Sequence, residues 1–235
     1  MSDLIKIKKL LKQKADPKRA IALKRYFKCG VGEYGEGDKF IGITLPDIRE
    51  VVREYKNLSL KEIAGLIKSK IHEERTMALA ILVEQFKKAG EKQRTAIFKL
   101  YLKNTSHINN WDLVDISAPK ITGPYLEDKP KDILYQLAKS QSLWERRIAI
   151  MSTAHFIRQK KYADTLKIAE LLLKDKHDLI HKAVGWMLRE VGKQDRGVEE
   201  QFLKKHCQQM PRTMLRYAIE KFPEPLRKKY LIGQI

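Results

Sequence analysis

The stretch Trp111-Asp112-Leu113-Val114-Asp115-Ile116-Ser117-Ala118 decides the fold. At 100° per residue, Leu113, Val114, Ser117 and Ala118 fall on one stripe of a helix, and Trp111, Asp112 and Asp115 fall opposite. The same pattern returns along the chain. Counting Arg75, Trp111, Arg146, His181 and Arg212 each as position zero, the spacings are 36, 35, 35 and 31 residues. Positions two and three are then Met77-Ala78, Leu113-Val114, Ile148-Ala149, Ala183-Val184 and Met214-Leu215. Positions six and seven are Ile81-Leu82, Ser117-Ala118, Ser152-Thr153, Met187-Leu188 and Ala218-Ile219. These positions form a buried stripe in every repeat, and positions zero, one, four and five form the opposite one.

Other segments of helical periodicity lie between these, including Ile133–Lys139 and Thr165–Leu173, and Ile148–Arg158 reads as one helix. Hairpin turns flanked by alternating strands are absent. A helix pair every ~35–40 residues predicts an all-α fold, an α-solenoid of HEAT-like antiparallel pairs. One domain over residues 1–235 is expected, with its inner helices lining a concave basic groove.

Composition points to the occupant of that groove. With 48 Lys+Arg against 29 Asp+Glu, the formal net charge is +19, spread over the whole sequence. Such a chain meets polyanions. The outward stripe holds Arg75, Thr76, Trp111, Asp112, Asp115, Arg146, Arg147, His181, Lys182, Trp186, Arg212, Arg216 and Tyr217. Cations for phosphates interleave with flat rings for sugars and bases, as on a nucleic-acid surface. A carboxylate facing a polyanion costs binding energy, so Asp115 needs a chemical reason to be there.

Several chemistries are set aside. Gly30-Val31-Gly32-Glu33-Tyr34-Gly35 fits the dinucleotide spacing. It follows a basic, helix-like segment rather than a strand, and Glu33, Glu36 and Asp38 repel a pyrophosphate, so an irregular loop is expected. His72-Glu73-Glu74-Arg75-Thr76 has Thr where a zinc-protease helix needs its second His. No ligand cluster has metal spacing and no nucleophile motif occurs, so neither metal nor cofactor is expected. Cys29 and Cys207, far apart, suit free thiols in a cytoplasmic protein, nucleoid-associated when on DNA. The Lys-studded stretch Met1 to Lys14 lacks the apolar run of a signal peptide.

Three motifs, in order, are specific: Asn110-Trp111-Asp112-Leu113-Val114-Asp115, Trp144-Glu145-Arg146-Arg147, and Lys182-Ala183-Val184-Gly185-Trp186-Met187-Leu188-Arg189-Glu190. Milder ones are Phe40-Ile41-Gly42-Ile43 with Pro46, and His72-Glu73-Glu74-Arg75. Together they resemble the AlkD-type DNA alkylation repair family, the HEAT-like-repeat DNA glycosylases, over nearly the whole chain. The resemblance implies excision of N3- and N7-alkylated purines from duplex DNA, without flipping the base into a protein pocket. It puts the catalytic Asp on Asp115, the active-site tryptophans on Trp111 and Trp186, and the groove Arg on Arg147. It also puts an N-terminal tyrosine that approaches the DNA on Tyr26. The Gly30–Gly37 loop is longer than the family leads one to expect.

In the repeat register Trp111, Asp115, Arg147 and Trp186 are expected to converge on one region of the groove. Arg146, Lys182, Arg189 and Arg216 join Arg147 as candidate DNA contacts, and Trp144 is assigned to the core. The expected partner is double-stranded DNA carrying alkylated purines. Neither a membrane nor an obligatory protein partner is expected, and the protein is expected to be a monomer. The competing expectation is a non-catalytic HEAT-like module that binds damaged or bent DNA.

Overall fold

The computed structural model describes residues 3–235. Met1 and Ser2, the start of the Lys-rich N-terminal stretch, lie outside the described residues. Among the described residues the only β pairing is one isolated parallel bridge between Lys39 and Ile71, and the fold is all-α. No helix among them is long and apolar enough to cross a membrane. The chain divides into two compact units, Met1–Ser117 and Ala118–Ile235.

The first unit contains α1 (Asp3–Gln13), α2 (Pro17–Tyr26), α3 (Leu45–Glu54), α4 (Leu60–Ile67), α5 (His72–Lys88) and α6 (Glu91–Lys103). It ends within α7 (Trp111–Tyr125). Local chemistry sets the starts. Asp16 accepts from the N–H groups of Lys18 and Arg19 at 2.9 and 3.1 Å, with Pro17 opening α2. Ser59 and Glu62 form a reciprocal capping box on α4. Ile48, Val51 and Val52 of α3, and Ile63, Leu66 and Ile67 of α4, pack toward α5.

Helix α5 sits at the centre of this unit, and its first five residues, His72 to Thr76, are all buried. This corrects the outward placement of Arg75 and Thr76. Helices on both flanks of α5 cover the side its own periodicity assigns to solvent. Both side chains find internal partners: Arg75 donates through its terminal nitrogens to Asp38 and to the Ser69 carbonyl, and the Thr76 hydroxyl donates to the His72 carbonyl.

The Gly30–Gly37 segment is an irregular loop, as expected. Glu33 accepts from the Gly30 N–H at 2.6 Å, and Glu36 accepts from the Gly32 N–H at 2.9 Å. The loop's own carboxylates thus occupy amides that a phosphate would need.

The second unit holds the rest of α7, then α8 (Asp132–Ala138), α9 (Leu143–Ser152), α10 (Ala154–Arg158), α11 (Ala163–Leu171) and α12 (Asp178–Gln194). It closes with α13 (Arg196–His206), α14 (Arg212–Ala218) and α15 (Glu224–Leu231). The helix expected over Ile148–Arg158 is broken between α9 and α10. There the Ser152 hydroxyl donates to the Ile148 carbonyl at 2.6 Å and the Thr153 hydroxyl to the Ile150 carbonyl at 2.7 Å. These side-chain bonds compete with the helical ladder.

Helix α12 is the counterpart of α5, packed on α9, α13 and α14. A Cβ on Gly185 would lie 2.4 Å from the Met214 carbonyl oxygen and 2.5 Å from the Tyr217 Cβ, so glycine sets the α12–α14 approach. Glu199 of α13 is buried beside Gly192, and burial pushes its carboxyl up to about 8.

Positions two, three, six and seven are buried in each of the five registered helices, so that stripe holds throughout. The opposite stripe is mixed: its position four is buried as Leu79, Ile150 and Gly185. Neighbouring helices in a stack cover the flanks as well as the back of a helix. Trp144 is buried, as expected.

Candidate functional site

In the first unit the candidate site gathers at the start of α7. The Asn110 side-chain oxygen accepts from the Trp111 N–H at 2.9 Å, and the Asn110 carbonyl accepts from the Val114 N–H at 3.2 Å. These bonds open the helix at Trp111. Asp115 follows one turn later on the same face, and both residues are half-buried. Trp111 stacks on Phe27 with ring centroids 5.3 Å apart and meets Tyr26 edge-on at 5.8 Å. Tyr26 ends α2 and is 64% exposed. An accessible aromatic pair and a carboxylate therefore share one neighbourhood of this unit.

Beneath them lies a layer that sequence reasoning did not assemble. Phe40 stacks on Phe27 at 5.2 Å and on the His72 ring at 4.5 Å. His72 is 2% exposed, with Nδ1 3.0 Å from Asp38 Oδ2 and Nε2 2.8 Å from Asp112 Oδ2. Arg75 Nη2 donates to Asp38 Oδ1 at 2.7 Å, and the Asn109 side-chain amide donates to the same oxygen at 3.3 Å. Burial works to lower the His72 pKa, but the bonds to Asp112 and Asp38 outweigh it and raise the value. Burial works to raise the Asp38 carboxyl, but His72 and Arg75 prevail and hold it below its ordinary value. Asp112 thus faces inward to His72, which corrects its placement on an outward stripe.

The neighbouring carboxylate holds the approach to this layer. Glu73 accepts from the N–H groups of Ile41, Gly42 and Ile43, the shortest bond being 2.8 Å to Gly42. Gly42 has φ +82°, and a Cβ there would lie 2.0 Å from the Asp16 carbonyl oxygen. Only glycine lets this segment lie against the start of α2. The two milder motifs, Phe40-Ile41-Gly42-Ile43 and His72-Glu73-Glu74-Arg75, are the two halves of this one contact.

In the second unit the candidate residues lie on α9, α12 and α14. Arg147 is 5% exposed and donates through Nη1 to the Leu179 carbonyl at 2.6 Å, tying α9 to the first turn of α12. Arg146 is half-buried, 2.6 Å from Asp175, and also donates to the carbonyls of Ser140 and Gln141. Lys182 pairs with Asp178 at 2.6 Å. Trp186 is half-buried and its indole N–H donates to Glu190 at 3.1 Å. Arg189 pairs with Glu220 and lies 3.7 Å from Glu190. Arg216 is exposed. Except for Arg147, these cations reach solvent; Arg146, Lys182 and Arg189 do so while paired with carboxylates.

Among the described residues no group of three or more His, Cys, Asp or Glu side chains is arranged to hold a metal ion.

An all-helical chain with a Trp and an Asp one turn apart, and solvent-reaching cations on successive helices, fits the proteins that handle damaged DNA. A family model for DNA alkylation repair enzymes matches residues 7–222, and the chain belongs to that family. No curated protein matches it. A solved structure described as a predicted DNA alkylation repair enzyme from Enterococcus faecalis is similar at 16% identity and a TM-score of 0.71. That match covers 90% of this chain and 98% of the other. AlkD2 from Streptococcus mutans is similar at 16% identity and a TM-score of 0.56, covering 88% of this chain and 98% of its own. At such identity the likeness carries the fold alone.

Proposed function

We propose that the protein is a DNA glycosylase that hydrolyses the N-glycosidic bond of N3- and N7-alkylated purines in duplex DNA. The observation that carries this reading is Asp115, held one turn beyond Trp111 on a helix whose first residue packs on the exposed Tyr26. Membership of the DNA alkylation repair enzyme family supports it.

An N3- or N7-alkylated purine already carries positive charge. When the bond from C1′ to the purine nitrogen breaks, its electron pair goes to the base, which leaves neutral without a general acid. The sugar becomes an oxocarbenium-like cation. Asp115 stabilises that cation electrostatically and orients the water that attacks C1′, and the water's proton passes to the carboxylate or to solvent. Trp111 packs on the deoxyribose, and its face favours a cationic lesion. In the second unit, Trp186 is assigned a packing role of the same kind; Arg147, expected on a phosphate, is buried against the Leu179 carbonyl and is assigned to holding the first turn of α12. Arg146, Lys182, Arg189 and Arg216 are assigned phosphates, with Tyr26 approaching the DNA from α2.

The test is release of 7-methylguanine and 3-methyladenine from methylated duplex DNA. Asp115→Asn is expected to lower the single-turnover rate about 100- to 1000-fold while leaving DNA affinity unchanged or improved. Wild-type rates in the variant would remove Asp115 from the chemistry. A wild-type protein that binds the duplex and releases no base would make it a binding module instead.

A further inference from the structure

We propose that His72 is a positioning residue for this reaction: an imidazolium clamped between Asp38 and Asp112 fixes the first turn of α7, and with it Trp111 and Asp115. The proposal rests on the glycosylase reading of Asp115.

Geometry sets the protonation state. Both ring nitrogens of His72 face carboxylate oxygens, at 3.0 Å on Asp38 and 2.8 Å on Asp112. A carboxylate only accepts, and a neutral imidazole has one N–H, so a neutral ring would set a lone pair against a lone pair. Arg75 Nη2, 3.4 Å from Nδ1, offers the neutral ring a donor. It leaves the closer Asp38 oxygen facing the same lone pair, and Arg75 is already committed to the other Asp38 oxygen at 2.7 Å. Protonated, the ring donates to one oxygen of each carboxylate, and the four charges of His72, Arg75, Asp38 and Asp112 sum to zero. The stacked Phe40 face, 4.5 Å away, adds a cation–π contact. The groups facing His72 are thus Asp38 from the loop, Arg75 from α5 and Asp112 from α7, with Phe27 and Phe40 against the ring. The raised His72 pKa agrees with this arrangement.

The link to the site is short. Asp112 is the second residue of α7, directly after Trp111 and three before Asp115. Holding its carboxylate fixes both the rotation and the height of that turn. A second route runs through Phe27, which touches the His72 ring at 5.0 Å and stacks on Trp111 at 5.3 Å. Loss of the proton turns one of the two ring–carboxylate contacts repulsive. Asp112, with its side chain 18% exposed against 4% for Asp38, is the nearer of the two to solvent and is the partner that lets go. Because the pKa is raised, the clamp is complete below the ordinary His value and is lost as pH rises through the raised one.

The experiment follows the His72 ring and the Trp111 indole N–H by NMR across pH on the full chain. In parallel it measures single-turnover release of 7-methylguanine from methylated duplex DNA. Expected are two protonated ring nitrogens below a midpoint that lies above 6.5, and a Trp111 signal that moves with that midpoint. The release rate is expected to fall about 10- to 100-fold through the same midpoint, the scale of a misplaced catalytic group. Asp112→Asn, which keeps the shape of the side chain, is expected to lower the His72 midpoint and the release rate together, with DNA affinity within about twofold. A His72 midpoint not raised above 6.5, a Trp111 signal indifferent to its titration, or a wild-type release rate in Asp112→Asn would each overturn the clamp. A protein that releases no base while Trp111 still follows His72 removes the glycosylase reading and upholds the clamp.

Discussion

Helices α5 and α12 occupy the same place in their units, and each is 17 residues long. Their treatment of charge is opposite. The start of α5 buries His72, Glu73, Glu74 and Arg75: His72 and Arg75 face carboxylates, Glu73 takes backbone N–H groups, and Glu74 lies 3.6 Å from the exposed Lys8 ammonium. Along α12, by contrast, His181, Lys182, Trp186, Arg189 and Glu190 remain half-exposed. His72 and Arg75 have exchanged water for carboxylate partners, and neither can leave without leaving a buried acid short of a partner. The α12 set sits at a dielectric boundary, where one anion replaces another at little cost. The central helix of the first unit thus begins in a buried charge cluster, whereas its counterpart in the second keeps its polar residues half-exposed.

The comparison breaks most readily at α5. Arg75→Ala strands Asp38 in the interior and is expected to cost about 3–5 kcal/mol of stability in urea unfolding. A loss under about 1 kcal/mol would mean that water already reaches the cluster. Gly185→Ala probes α12 where it is closed rather than open. The new methyl meets the Met214 backbone, so a loss of about 1–3 kcal/mol is expected by the same measurement. The smallest stability effect is expected from Lys182→Ala, within about 0.5 kcal/mol. That variant is expected to act on DNA instead, reducing the slope of log affinity against log salt by about 1. An unchanged slope would take Lys182 out of the DNA contacts.

The sequence made the buried stripe shared by five helices legible because it depends on neighbours within one or two turns. The family motif around Asp115 was legible for the same reason. What escaped was lateral. Nothing in the spacing of His72 indicated that Asp38, in an irregular loop 34 residues earlier, would face one ring nitrogen and Asp112 the other. Arg75 and Thr76 read as outward because periodicity describes a helix alone, whereas α3, α4 and α6 enclose α5. The break after Ser152 was hidden because apolar periodicity continues through it, and only the two hydroxyl-to-carbonyl bonds mark it. His72-Glu73-Glu74-Arg75 drew notice as a failed zinc motif, and its composition, acids and bases mixed at a helix start, was the available sign of an internal cluster.

The neutral quartet of His72, Arg75, Asp38 and Asp112 also has a consequence at long range. Two cations and two anions within a few ångströms have no monopole, and their field dies away over the size of the cluster. The excess positive charge of the chain is therefore carried wholly by its remaining side chains. The pull on an approaching duplex and the grip on the first turn of α7 come from separate sets of charges. Salt can weaken the first without loosening the second.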